Sequence, residues 1–144
     1  MLKEVLKYTD FDGNEREEEF RFHLTKAELA EMNFSAKGGL EKMITRIINE
    51  RDTTELIKIF KELLLRSYGK VSDDGRRFIK TPELRAEFEQ TQAYSDLYMR
   101  FLEDPDQLVA FVEGIVPPDI AEEYRKNVAE GKVKPTLIPP AAQE

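Results

Sequence analysis

Apolar and polar positions alternate cleanly along Glu17 to Leu24. Phe20, Phe22 and Leu24 fall on one side, and Glu19, Arg21 and His23 on the other. A period of two predicts a half-buried β-strand. The run Leu2 to Thr9 reads as its partner, with Leu6 and Tyr8 sharing a face and Val5 on the opposite one. Between them lies Asp10 to Asn14. Its Asp12-Gly13 pair is a hairpin turn signal, because Gly tolerates positive φ and Asp hydrogen-bonds its own backbone. Residues 1–24 are thus predicted as a β-hairpin.

The period then changes to that of a helix. Thr25-Lys26-Ala27-Glu28 fits a capping box, followed by about two helical turns to Met32 or Asn33. Ser35 to Gly39 breaks the pattern. A second helix is predicted over Leu40 to Glu50, with Leu40, Met43, Ile44, Ile47 and Ile48 as its apolar stripe. Asp52 or Thr53 caps a third, running to about Tyr68. Its buried face takes Leu56, Ile59, Phe60, Leu63 and Leu64, with Ile57 at the border, and Gly69 reads as its C-cap.

Lys70 to Lys80 is a loop around Asp73-Asp74-Gly75, or a small second hairpin ending in Phe78-Ile79. Thr81-Pro82-Glu83 starts another helix, with Pro at the first helical position. Leu84 to Gln90 forms a short helix that Tyr94 to Leu102 continues or restarts. Asp104-Pro105 caps a further helix carrying Leu108, Val109, Phe111, Val112 and Ile115, which Pro117-Pro118 ends. Asp119 to Val128 forms a last, weakly apolar helix. The picture is an α+β fold, mostly α-helical. An N-terminal β-hairpin packs on a bundle of about five to six helices, in a single domain over residues 1–130. Residues 131–144 hold three prolines and no periodicity, and are expected to form a flexible, disordered tail.

Composition narrows the function. The net charge is −7 and the sequence pI about 5.0, which argues against recognition of nucleic acid or anionic membrane through a basic surface. The absence of cysteine removes disulfides, thiolate catalysis and Cys-ligated metal. No apolar run approaches the roughly 20 residues of a membrane span. The N-terminal residues Met1 to Val5 carry no signal-peptide pattern. A soluble cytoplasmic protein that meets other proteins is expected.

Candidate chemistry is thin. Asp10 to Asn14, with the acids after it, superficially resembles a calcium loop. Gly13 comes at the fourth position of that stretch and strands flank it, whereas an EF-hand needs Gly at the sixth and helices on both sides. Asp73 to Arg77 reads as a solvated turn, with a contact patch as the alternative. His23, the single histidine, lies on the charged strand face with no nucleophile arranged around it. No phosphate loop and no paired-carboxylate site stand out, so no catalytic residue, cofactor or metal is assigned. The aromatic group Tyr94, Tyr98, Phe101 and Phe111 is of more interest. Most of it reads as core, and any exposed share is the candidate partner-binding surface, because aromatic anchors dominate helix-in-groove binding.

Two stretches also carry a resemblance. YTDFDGNEREEEFRFHLTKAEL and SYGKVSDDGRRFIKTPELRAEFEQTQAYSDLYMRFL, with the Asp-Pro-Asp that leads to FVEGIVP, resemble the tail assembly chaperones of long-tailed, non-contractile bacteriophages of Gram-positive hosts. The likeness runs from about Tyr8 to Pro117 and rests on no catalytic motif. It implies a largely helical, self-associating protein of the infected cell's cytoplasm. Such a protein binds the tape measure protein and keeps it soluble while tail tube proteins polymerise around it, and is absent from the mature virion. It also implies that a frameshifted longer form can accompany the short one. The alternatives are a structural tail or neck component of the virion, a generic protein-binding module, and a small hydrolase or metal-dependent enzyme.

Overall fold

β1 (Leu2–Thr9) and β2 (Glu15–Phe22) pair antiparallel in the register Leu6 to Glu18 and Glu4 to Phe20. That register puts Leu2, Leu6, Phe20 and Phe22 on one face, and Lys3, Val5, Lys7, Glu17 and Glu19 on the other. A computed structural model of the chain describes residues 1–32 and 53–129. Asp10 organises the connecting turn. Its carboxylate accepts the Asp12 and Asn14 amides at 3.0 and 2.9 Å and the Arg16 Nε at 2.6 Å. The Arg16 hydrogen bond, then the Asn14 amide, holds this carboxyl below its ordinary pKa. Gly13, at φ 86°, supplies the left-handed residue that closes the turn.

Thr25 caps α1 (Lys26–Glu31) with both halves of the capping box in place. The predicted helix over Leu40 to Glu50 and the tail 131–144 lie outside the described residues. α2 (Thr53–Ser67) buries Phe60, Leu63 and Leu64 and leaves Ile57 at the surface. Gly69 is not its C-cap. The chain passes directly from Ser67 into β3 (Tyr68–Val71), and the Ser67 carbonyl accepts the His23 amide at 2.7 Å. The end of β2 thereby does what a left-handed glycine would have done, and Gly69 has no positive φ. Glycine is there for space. A Cβ on it would lie 2.8 Å from the Ile79 carbonyl and 3.0 Å from the Phe78 ring.

β3 pairs with β4 (Phe78–Ile79), so the second hairpin forms, turning at Gly75 with φ 76°. Ser72, Asp74, Arg76 and Arg77 are bonded to one another within this turn, as expected of a solvated turn. β3 also pairs with β2 through Arg21–Gly69 and Phe22–Tyr68. The predicted two-stranded unit is therefore part of one antiparallel sheet in the order β1-β2-β3-β4.

Four helices follow the sheet, and their starts obey the sequence signals. Thr81 caps α3 (Pro82–Glu89). Thr91 then ends one helix and begins the next: its hydroxyl donates to the Phe88 carbonyl at 2.7 Å and accepts the Tyr94 amide at 3.1 Å. This separates α3 from α4 (Gln92–Glu103). Asp104 caps α5 (Pro105–Ile115), and α6 (Pro118–Ala129) comes last. The described residues thus hold six helices and the sheet. α4 and α5 pack against β1, and Phe20, Phe22 and Leu24 are buried as their alternation predicts, Phe20 against Tyr68 of β3 and Phe88 of α3. Each such buried side chain contributes about 1.5–3 kcal/mol through area removed from water.

Candidate functional site

The Thr91 cap sets the phase of α4, and with it the direction of every aromatic on that helix. Tyr94, Tyr98 and Phe101 recur at helical spacing, and Phe111 meets them from α5. All four belong to one closed circuit of ring contacts. Phe22 touches Phe88 at 5.8 Å, Phe88 touches Tyr94 at 5.4 Å, and Tyr94 touches Tyr98 at 5.7 Å. Tyr98 meets Phe60 at 4.9 Å, Phe60 meets Phe101 at 6.0 Å, and Phe101 meets Phe111 at 4.7 Å. Phe111 then returns to Phe22 at 5.5 Å. Tilted and edge-on pairs of this kind add about 0.5–1.5 kcal/mol each beyond their area.

The circuit has an inner and an outer arc. Phe101 and Phe111 are each 2% exposed and belong to the core. Tyr94 and Tyr98 are half-buried. The aromatic share at the surface is therefore these two tyrosines. Met99 on the same helix is 45% exposed, and Ile57 on α2 lies one turn from the Phe60 that Tyr98 touches. Burial, then the charge of Glu89 and the neighbouring Tyr98, pushes the Tyr94 phenol up to about 12. At neutral pH it is a neutral amphipathic ring, suited to contact rather than proton transfer.

A polar junction that sequence reasoning missed lies at the other end of the sheet. Lys80, just after β4, reaches across to α1. Its ammonium donates to Glu28 Oε2 and to the His23 carbonyl, both at 2.6 Å. Local spacing gives no signal for this pair, because 52 residues separate its members. His23 lies beside it and takes part through its backbone. Its Nδ1 is buried without a hydrogen-bond partner. Burial, followed by the N-terminal ammonium and Lys80, lowers the pKa of the imidazole. The carboxylates of Asp10 and Asp74 are taken up within their own turns. Among the described residues, no three His, Cys, Asp or Glu side chains converge as a metal site, and no helix is long and apolar enough to cross a membrane.

The arrangement defines a helical body with two half-buried tyrosines on α4 and, among the described residues, no assembled reaction centre. A family model described as phage tail assembly chaperone matches residues 1–143, and the chain belongs to that family. No curated protein and no solved structure matches it. Membership implies engagement of phage tail proteins and action in the host cell, and suggests a non-enzymatic role.

Proposed function

We propose that this chaperone binds the tape measure protein and keeps its apolar helices soluble while the tail tube assembles. The family match over residues 1–143 carries the reading. The half-buried Tyr94 and Tyr98 form the client surface on α4, with the exposed Met99 further round the same helix, while Phe101 and Phe111 hold that surface rigid from below. A client helix laid on this face gains about 25 cal/mol for each Å² of apolar area it removes from water. Two-ended tyrosines suit such a face, since the ring packs while the hydroxyl stays wet. The protein self-associates, also meets the tail tube protein, works in the host cytoplasm and leaves before the virion matures.

Co-expression tests this reading. The tape measure protein encoded by the same phage should move from the insoluble to the soluble fraction when this chain is present. Equal insolubility with and without it would sink the proposal. Mass spectrometry of purified virions should find the chain absent; its recovery there would instead favour a structural tail component.

A further inference from the structure

β2 is paired along its whole length on one side only. Toward β1 the pairing runs from Glu15 to Phe22, but toward β3 it covers only Arg21 and Phe22. Two hydrogen bonds fix which residues face which edge. The Asp10 amide donates to the Asn14 carbonyl at 2.9 Å on the β1 side, and the His23 amide donates to the Ser67 carbonyl at 2.7 Å on the β3 side. Backbone groups of successive strand residues point to opposite edges. Even-numbered residues of β2 therefore bond to β1, and odd-numbered ones face away. Arg21 is taken by Gly69. Glu15, Glu17 and Glu19 direct their N–H and C=O groups to an edge that has no strand partner among the described residues.

β3 does not follow β2 past Gly69. Lys70 and Val71 pair with β4 instead. The divergence opens a cleft of about 490 Å³, whose walls include Glu18, Glu19, Phe20 and Tyr68 along with the cations Arg21 and Lys70. The β1 edge, by contrast, carries exposed Lys3 and Lys7, a usual way of blunting a free strand. The free edge of β2 carries three acids. These disfavour a second copy of the same edge, since like charges opposed across strands destabilise pairing, and they favour a basic strand. Arg21 meets Glu19 at 2.9 Å and Lys7 meets Glu17 at 3.9 Å, but both pairs are solvent-exposed and weak enough to exchange.

We infer that the open edge of β2 takes up an extended segment of a client protein as an added strand, one that alternates basic with apolar residues. The basic side chains lie beside Glu15, Glu17 and Glu19. The apolar ones fall on the face of Phe20 and Tyr68, which Arg16 and Glu18 share toward the hairpin turn, so apolar selection acts at the Phe20 end. Main-chain bonds supply affinity and the alternation supplies selection. This site takes an extended chain, and so is separate from a helix held on α4.

The test uses the full chain and a synthetic peptide of alternating lysine and valine, with two controls. One replaces lysine by glutamate; the other keeps the composition but is interrupted by proline. Amide hydrogen exchange at Glu15, Glu17 and Glu19 should slow with the first peptide and with neither control. Glu17→Pro removes a donor that β1 does not use, and should weaken binding about tenfold, the worth of one net hydrogen bond. Should that variant not fold, the triple variant E15K/E17K/E19K serves: it should reverse the preference toward the glutamate peptide. Equal binding of the proline-interrupted peptide, or no change in exchange at these amides, overturns the inference. Tape measure solubilisation is scored separately in the same variants, so failure here leaves the α4 surface standing.

Discussion

The Lys80 ammonium lies 2.6 Å from the Glu28 carboxylate, and Glu28 also closes the capping box of α1 by accepting the Thr25 amide at 3.0 Å. One carboxylate thus starts a helix and ties it to the sheet, because the same ammonium holds the carbonyl of His23 just past β2. The Lys80 side chain is only 10% exposed. Its charge is tolerated there because hydrogen bonds to Glu28 and to the His23 carbonyl replace water.

Removing the cation strands its partners. Lys80→Met keeps the aliphatic stem but leaves Glu28 and the His23 carbonyl short of a donor. The expected loss is about 1–3 kcal/mol in urea unfolding. Glu28→Gln should cost less than Lys80→Met, since the amide oxygen still serves Thr25, and the double variant should cost less than the sum. Strict additivity would show that the two groups do not interact.

The same junction makes stability depend on pH. Burial on its own raises the Glu28 carboxyl pKa, but hydrogen bonds from Lys80 and Thr25 outweigh it and hold the group below its ordinary 4.5. The unfolded chain then takes up this proton first as pH falls. The contribution is complete above about 4.5 and is lost as pH drops through the folded value. His23 acts in the same direction at higher pH. Its imidazole is held below 6.5, so the unfolded chain again protonates first and stability declines as pH falls from 6.5 toward the folded value. Urea midpoints measured from neutral to acid pH should fall in two stages, and His23→Gln should abolish the upper one alone.

Gly69 and Gly114 separate two reasons for a glycine. At Gly69 a Cβ meets the Ile79 carbonyl at 2.8 Å, and backbone cannot step aside without breaking the β3–β4 ladder. Gly69→Ala should destabilise by about 1–3 kcal/mol. At Gly114 the nearest atom is the Leu2 Cδ1 at 3.0 Å, the end of a flexible side chain. Gly114→Ala also gains about 1 kcal/mol of helix propensity. Its thermal midpoint should match or exceed the parent's, and a fall comparable to that of Gly69→Ala would mean that Leu2 cannot move.

Much of this fold is legible in local sequence signals. The alternation of Phe20, Phe22 and Leu24, the Thr25 capping box and the Thr81-Pro82 and Asp104-Pro105 starts each act within a few residues, and each element forms where its pattern lies. Gly69 is misleading because a glycine after a helix and a glycine packed against its hairpin partner strand look alike in sequence; what distinguishes them is the approach of Ile79, ten positions later. Lys80–Glu28 and the joining of the two hairpins through Arg21 and Gly69 were illegible for the same reason. The division of the aromatic group was half legible. Spacing placed Tyr94, Tyr98 and Phe101 on one face, but only packing against Phe60 and Phe22 decides which rings remain at the surface.

That division allows client binding to be separated from folding. Met99 is 45% exposed on α4, so Met99→Glu should change stability by less than about 0.5 kcal/mol. A client helix that covers Met99 as well as Tyr98 must desolvate the new carboxylate, so solubilisation of the tape measure protein should drop sharply. Phe111→Ala should do the opposite: it costs about 3–5 kcal/mol by opening a cavity under Phe22 and Phe101, with client binding lost only as the fold is lost. The two readouts are chemical unfolding and the soluble fraction of co-expressed tape measure protein. Met99→Glu that folds and solubilises like the parent would remove Met99 from the client surface, and Tyr94→Glu and Tyr98→Glu scored the same way would decide for the rest of α4.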